Sequence, residues 1–486
     1  MTDDNGNVIT DIEPASIERI HLVGVAGTGM GAFAGILKEE GYTVTGSDEN
    51  VYPPMSEMLA AWEIAVFTPY GADNIDRAAP DLAIIGNVIR RDNPEAAAVR
   101  ERRIPQMSFP AAFGSLVCRG RHSVVVAGTH GKTTTSAMLA HVLADAGLDP
   151  TFIVGGVTLN YTGNFRLGAG DHVVVEGDEY DTAYFDKGPK FVHYRARTAL
   201  LTSIEFDHAD IFRDMAHYES AYERFCASLP PDGWLGVSAS YPNAVALARK
   251  HSPAPVVTYG VSTTADCTAR DIEFGEGGAR FVIAEGDGAP VEIAMGMTGL
   301  HNVENATGVF AAARHLGLDA ATIAQGLGSF RGVKRRQEPR GYVGGVLVID
   351  DFAHHPTAVR ETVAAIRERY PDRRLWAVFE PRSNTSRRNI HQAEYESAFH
   401  GANVVVIRFP EPHDKVPPDQ QLDVRAVVAA IARQGIEAHA LEAVQEIVAL
   451  IADQARPNDV LLVMSNGAFG GLIPEVLAAL ERRAVP

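Results

Sequence analysis

Short apolar runs ending in Gly or Asp recur along the chain and alternate with helical patterns: IHLVGV, YTVTGSD, LAIIGN, SVVVAGT, HVVVEGD, VLVIDD, LWAVFE, NVVVIRF and DVLLVMSNG. Such runs have no polar face to turn toward water, so they read as strands of parallel sheets covered on both sides by helices. Their repetition restricts the chain to α/β architecture. One stretch breaks the pattern. At 254–300, PVVTYG, ARFVIAEG and VEIAMG alternate with Gly-rich turns, which predicts a small antiparallel layer. At 486 residues the chain exceeds one core of ~100–200 residues. Linker-like composition near Cys118 to Arg121 and across RGVKRRQEPRGYVGG, near Gly332 to Gly341, predicts three domains: 1–119, 120–335 and 336–486.

Charge narrows the partners. Acidic residues outnumber basic ones 61 to 43, for a net charge of −18, and no basic run interrupts them. Nucleic acid and anionic membrane are therefore excluded as expected partners. A phosphorylated ligand must be held by backbone nests, helix N-termini, metal ions and a few placed Lys or Arg. The opening MTDDNGNVITDIEP lacks the basic and apolar regions of a secretory signal, and no apolar run approaches the ~20 residues of a membrane span. The expected location is cytoplasmic. Cys118, Cys226 and Cys267 lack metal-ligand spacing and read as reduced packing residues.

Three segments carry chemistry. After IHLVGV come Gly24, Gly27, Gly29 and Gly31, then a helix through Phe33, Ile36 and Leu37 and a second strand ending at Asp48. Glycines allow a tight turn and close approach to a diphosphate, and an acid after the second strand suits a ribose or base edge. The strict dinucleotide spacing is met only as Gly27-x-Gly29 with Ala32 in third place, so helix packing and a nicotinamide dehydrogenase both stand as alternatives.

The second segment, SVVVAGTHGKTTT, places Gly128, Thr129, His130, Gly131, Lys132, Thr133 and Thr134 between a strand and a helix. Its amides can cradle phosphates, Lys132 can reach the terminal oxygens and a Thr hydroxyl can bind magnesium. It is a shortened phosphate loop, with Val126 where the full spacing has Gly. In the third, HVVVEGDEYD and TALLTSIEFDHAD bring Glu176, Asp178, Glu179, Asp181, Glu205, Asp207 and His208 to strand ends, where so many acids require cations, magnesium being the one that suits oxygen donors.

GTHGKTTT, EGDEYD, IEFDHAD, GLHNVENA, KRRQE and DDFAHHPT, in that order, resemble the Mur ligases. The resemblance implies a Rossmann-like N-terminal domain for a UDP-sugar, a phosphate-loop central domain for ATP and a Rossmann-like C-terminal domain for an amino acid or peptide. It also implies phosphorylation of the lactyl carboxylate of UDP-N-acetylmuramate by ATP, then attack of an amine on the acyl phosphate. Carried over by position, Lys132, Glu176, His208 and Arg336 are catalytic, and Thr133, Glu176 and His208 hold Mg2+. His301, Asn302 and Asn305 bind adenine, Asn302 having helix capping as its alternative, and Asp351 contacts the nucleotide. Gly27, Thr28, Gly29, Met30 and Asp48 bind the sugar nucleotide. Gln337 replaces an apolar neighbour of Arg336, and His354 and His355 read as packing residues.

No lysine lies between His208 and Lys250, which resembles the muramate-accepting branch lacking a carbamylated lysine. Within it, SDENVYPPMS, GNVIRRDNPE, FDKGPKFVHYR, EPRSNT and MSNGAFGG resemble members that accept L-alanyl-γ-D-glutamyl-meso-diaminopimelate recovered from old wall, with the L-alanine-adding ligase as alternative. Arg382, Ser383 and Asn384 are the expected peptide contacts. Gly177 stands where Ala is usual, Ala468 where Gly is usual, and SRRNI after EPRSNT departs from the pattern.

Overall fold

The computed structural model describes residues 7–52, 55–161, 163–411 and 416–484; the first six residues of the opening segment and two prolines of SDENVYPPMS lie outside them. The chain divides into two compact units. The first comprises Met1–Ile204, Ala216–Cys267 and Gly308–Gly326; the second Glu205–Met215, Thr268–Thr307 and Leu327–Pro486.

The first unit contains two parallel layers. Its five-stranded sheet runs Ala65–Phe67, Thr43–Ser47, Arg19–Val23, Leu82–Ile85, Gln106–Ser108. All neighbours are parallel. Chain order reverses beside Arg19–Val23, so the loop that follows it, at Gly24, opens at the crevice where such sheets bind ligands. The second layer runs Val256–Val261, Trp234–Ser238, Thr198–Leu201, His122–Ala127, His172–Gly177, Thr151–Ile153, Phe165–Arg166. Only the last pair is antiparallel. Here one expectation is corrected: PVVTYG, read as part of the antiparallel layer, pairs parallel with Trp234–Ser238. Helix Pro242–His251 separates the two strands, and a crossover of this type makes a parallel neighbour.

A hairpin joining Asp181–Ala183 to Asp186–Pro189 links the layers. Tyr184 and Phe185 at its tip pack onto the apolar cluster of Val23, Ile85, Ile89 and Val99. Arg100 donates to the Tyr184 hydroxyl at 2.7 Å.

In the second unit a six-stranded sheet runs Glu338–Val343, Val346–Asp351, Val460–Met464, Leu375–Phe379, Val404–Arg408, Glu437–Leu441. Only its first pair is antiparallel. Alternate residues supply two cores. Ile349, Ala377, Phe379, Val405 and Leu462 face one way, Val348, Trp376, Val378, Val406 and Leu461 the other, so both faces of the apolar runs are covered. The expected antiparallel layer survives as Gly278–Glu285 paired with Val291–Met295.

Two departures from the family pattern have steric explanations. Ala468 has φ −79° and ψ −3°, a conformation any residue adopts. At Gly177 a methyl would lie 2.8 Å from Val125 Cγ1 and 3.1 Å from Phe191 Cβ. Both neighbours are held on buried elements, so overpacking should cost on the order of 1–3 kcal/mol. Gly177→Ala is therefore expected to lower the unfolding midpoint although Ala is usual there. An unchanged or raised midpoint in thermal denaturation would show that the strand can yield.

Candidate active site

Strand His122–Ala127 enters a tight loop and helix Lys132–Asp145 leaves it. Gly128 has φ +135°, and a Cβ on it would lie 2.2 Å from Thr202 Oγ1. Only Gly fits there. The Thr129 amide donates to the Ser203 carbonyl at 3.1 Å, and the His130 amide to Ser203 Oγ at 2.8 Å. These bonds fix the loop against the end of strand Thr198–Leu201. Gly131, at φ +78°, begins the helix with no side-chain cap, so its N-terminal amides face the loop as an anion cradle. Thr134 is buried in the first turn.

Lys132 folds back over this cradle. Its Nζ donates to the Gly128 carbonyl at 2.5 Å and to Glu179 Oε2 at 3.0 Å. Burial works to lower the Lys132 pKa, but Glu179, Asp178 and Glu176 outweigh it and hold the ammonium above its usual range. Glu179 is itself wholly buried, and its other oxygen accepts from the Tyr218 hydroxyl at 3.0 Å. Tyr218 also meets Thr129 Oγ1 at 2.9 Å. Glu179 was expected only as one of the clustered acids, without a role toward Lys132, and Tyr218 was not expected at all. Nothing in EGDEYD distinguishes which acid meets the lysine, and Tyr218 comes from the helix Met215–Ala227.

Thr133 Oγ1 donates to Glu176 Oε1 at 2.9 Å, and the Gly155 amide donates to Glu176 Oε2 at 2.6 Å. Burial and then the neighbouring Asp178 raise the Glu176 pKa. Asp178 goes the other way: burial opposes its charge, but Lys190, bonded at 2.9 Å, and Lys132 lower its pKa. A hydroxyl and a crowded carboxylate side by side are a donor set for a hard cation, which would relieve the repulsion at Glu176.

His208 belongs to the second unit. Its backbone is left-handed, φ 52°, and its amide donates to Asp207 Oδ1 at 2.7 Å. Burial opposes the Asp207 charge, but His208, His354 and His355 hold its pKa well below the usual carboxylate range. His355 does more than pack: its ring accepts from the Thr357 amide and caps helix Pro356–Arg369.

The remaining nucleotide candidates also lie in the second unit. Burial, then Arg336, pushes the His301 pKa down to about 4. Asn302 is not a helix cap, since it stands inside helix Leu300–His315 and donates back to the Thr298 carbonyl at 2.8 Å. Asn305 donates to Asn302 at 3.4 Å. Asp351 is buried, and its oxygens accept from the amides of Gln337 at 2.8 Å and Ala353 at 2.7 Å. Burial raises its pKa, with Arg336 opposing. Arg336 stacks 4.7 Å from the Phe352 ring centre. Gln337, the unusual neighbour, thus braces Asp351 and bonds Thr298 Oγ1 at 3.1 Å.

Gly27 precedes helix Thr28–Glu39 without a side-chain cap, so the helix start at Thr28 and Gly29 is a second one open to a ligand, while the Met30 side chain is buried. Asp48 already accepts three amides, from Ala26 at 2.9 Å, Glu49 at 2.8 Å and Asn50 at 3.4 Å.

Of the expected peptide contacts, Ser383 Oγ donates to Ser386 at 2.9 Å and Asn384 to Asp210 at 2.9 Å. Arg382 is exposed and lies across Gly467, where a methyl would be 2.5 Å from its Cδ. The loop Ser465–Gly467 is held by Arg335, which donates to both carbonyls at 2.6 Å, and by Glu380, which accepts from Ser465 Oγ at 2.6 Å. Arg408 neutralises Glu380 at 2.8 Å. Among the described residues, the buried Asn466 Oδ1 and Arg387 Nε have no hydrogen-bond partner. Burial and then Arg382 lower the Arg387 pKa, with Glu411 and Glu380 opposing.

Three family domains match the chain in order: "Mur ligase family, catalytic domain" at residues 19–121, "Mur ligase middle domain" at 126–313 and "Mur ligase, glutamate ligase domain" at 335–467. The UDP-N-acetylmuramate–L-alanyl-gamma-D-glutamyl-meso-2,6-diaminoheptandioate ligase of Escherichia coli is 38% identical over 96% of this chain and 99% of its own. The UDP-N-acetylmuramate–L-alanine ligase of Halorhodospira halophila is 34% identical over 94% of this chain and 92% of its own. A crystal structure of a murein peptide ligase from Psychrobacter arcticus superposes with a TM-score of 0.69 at 34% identity, covering 95% of this chain and 98% of the other.

The Lys132–Glu179 pair generates a prediction. Removing one partner of a buried ion pair typically costs ~3–5 kcal/mol. Glu179→Gln should lower the unfolding midpoint clearly and release Lys132 from its place over the loop, weakening ATP binding. A variant with wild-type stability and ATP affinity would show that Asp178 and Glu176 suffice to hold the lysine.

Proposed function

The chain belongs to the Mur ligase family, and from that premise we propose that it joins UDP-N-acetylmuramate to L-alanyl-γ-D-glutamyl-meso-diaminopimelate, using ATP and Mg2+, in the recycling of cell-wall peptides. Members of this family form amide bonds at the expense of ATP, and the nicotinamide dehydrogenase alternative falls with that membership. The observation that carries the chemistry is the first unit's cradle, with Lys132 over an uncapped helix start and Thr133 against Glu176. The reading keeps 1–119, 120–335 and 336–486 as the domains for sugar nucleotide, ATP and peptide, and the cytoplasm as the location. Among the described residues, no helix is long and apolar enough to cross a membrane.

In this reading, Gly128–Thr134 hold the phosphates and Lys132 steadies the transferring group. Thr133 and Glu176 offer the oxygens for magnesium, with His208 as a further ligand by resemblance. When bound, the metal neutralises phosphate charge and polarises the phosphorus toward attack. The sugar's lactyl carboxylate displaces ADP, giving an acyl phosphate. The peptide's amine then displaces phosphate and loses a proton. Such chemistry depends on positioning and charge stabilisation rather than on an enzyme nucleophile. His301, Asn302, Asn305, Asp351 and Arg336 keep their nucleotide roles.

Support for a peptide acceptor comes from the second unit. Arg387 Nε has no hydrogen-bond partner among the described residues, Arg382 acts on the Arg387 charge, and Asn466 offers an unpaired buried acceptor. Paired guanidinium groups suit carboxylates, and an amide oxygen suits an ammonium or N–H. The tripeptide carries several carboxylates and a distal ammonium, whereas L-alanine has only its own carboxylate beside the attacking amine.

Lys132→Ala should reduce ligation by roughly a hundredfold or more while UDP-N-acetylmuramate still binds in calorimetry. Near-normal turnover would remove the phosphate loop from the mechanism. ADP release with UDP-N-acetylmuramate should be supported by the tripeptide and not by free L-alanine, and Arg382→Ala should raise the KM of the peptide more than that of ATP. Efficient use of L-alanine without tripeptide activity would make the chain an alanine ligase. Equal losses for ATP and peptide would assign Arg382 to phosphate.

A further inference from the structure

Beneath the carboxyl edge of the five-stranded sheet lies a carboxylate that the reaction does not use. Glu95 is fully buried in helix Pro94–Glu101. Oε2 accepts from the Ser47 hydroxyl and lies 3.4 Å from His21 Nε2, while Oε1 accepts from Asn74 Nδ2 at 2.6 Å and the Gly71 amide at 3.2 Å. Burial opposes its charge, but the bonds from His21, Ser47, Asn74 and Gly71 outweigh it and lower its pKa.

The partners lead outward along two arms to the same three residues. Through Ser47, Glu95 reaches the glycine loop: the Ser47 carbonyl accepts the amides of Gly24 at 2.8 Å and Val25 at 3.1 Å. Through Gly71 and Asn74, it fixes the turn that carries Tyr70, which Asn74 also ties by donating to the Pro69 carbonyl at 2.9 Å. Burial and then the charge of the neighbouring Asp48 raise the Tyr70 pKa, and Asp48 accepts the Ala26 amide at 2.9 Å. The Tyr70 hydroxyl also stands 3.9 Å from where a Cβ on Gly24 would be. Gly24, Val25 and Ala26 are thus held from both sides by one buried charge.

We infer that Glu95, acting through Ser47 and through Tyr70–Asp48, is a positioning residue that sets the shape of the Gly24–Met30 loop and thereby the affinity for the sugar nucleotide. Asp48 on this account works as a brace for the loop. The inference rests on the reading that this loop binds UDP-N-acetylmuramate. It also explains a cost otherwise without purpose, since a buried carboxylate with four donors is an expensive way to join strands that apolar packing already joins.

Tyr70→Phe and Glu95→Gln, each close to isosteric, test it, with Gly27→Leu as the control for the site itself. Gly27 is exposed, and a Cβ there makes only ordinary contacts, so a leucine fills the loop mouth without disturbing the fold. Both network variants should raise the KM and the calorimetric Kd for UDP-N-acetylmuramate tenfold or more, with the KM values for ATP and peptide and the kcat within about twofold. Unchanged sugar-nucleotide affinity in both variants, while Gly27→Leu abolishes binding, would overturn the role of Glu95 alone. Wild-type affinity in Gly27→Leu would overturn the location of the site. A uniform rise in all three KM values, or a fall in unfolding midpoint without a selective KM effect, would make the network merely structural and would also overturn the inference.

Discussion

A carboxylate withdrawn from water must be given a cation or enough donors, and the first unit is arranged around meeting that demand at the ends of its strands. Glu176, Asp178 and Glu179 leave strand His172–Gly177 together, and each is answered differently. Glu179 takes Lys132, Asp178 takes Lys190, and Glu176 takes only a hydroxyl and an amide. The residual excess of negative charge therefore falls on Glu176, beside Thr133 and the start of a helix. That is where a divalent cation and phosphate would each improve the electrostatics of the other. The ligand cradle is thus a consequence of how the acids are neutralised, and the glycine geometry of 128–131 serves to let it close.

Most of this was legible in the sequence. The nine apolar runs all became strands with at least one parallel neighbour, because burial on both faces leaves little other use for them. The phosphate loop was legible for a similar reason: Gly128 and Gly131 are required by positive φ, and Lys132 and Thr133 by chemistry. What was not legible depended on side-chain partners far apart in the chain. Tyr218 meets Glu179 across |i−j| = 39, and Asn74 meets Glu95 across |i−j| = 21, and neither pairing leaves a pattern in local composition. Strand Glu437–Leu441 went unseen because, half-exposed throughout, it lacks the apolar signature. The parallel neighbour of PVVTYG was not foreseen because a short apolar run bounded by glycines does not reveal whether a helix or a turn separates it from its partner.

The departures from the family pattern show how far sequence analogy reaches. Gly177 and Gln337 look minor in the sequence, yet the first sits where a methyl has no room and the second holds Asp351 and Thr298. SRRNI supplies Arg387, whose pKa burial and then Arg382 lower. Asp48 reads from the sequence as a ribose ligand, whereas its oxygens bind the amides of the loop before any ligand arrives. In each case the residue type was visible and its job was not, because the job is defined by neighbours that the fold supplies.

The central claim is that this chain activates a sugar carboxylate by moving a phosphoryl group onto it. The most direct measurement uses UDP-N-acetylmuramate labelled with 18O in its lactyl carboxylate. With ATP, magnesium and the tripeptide present, one labelled oxygen should leave with each phosphate released, because the acyl phosphate carries it on the bridging position. Released phosphate free of label, with ligated product formed at the normal rate, would contradict an acyl phosphate and the account built on it.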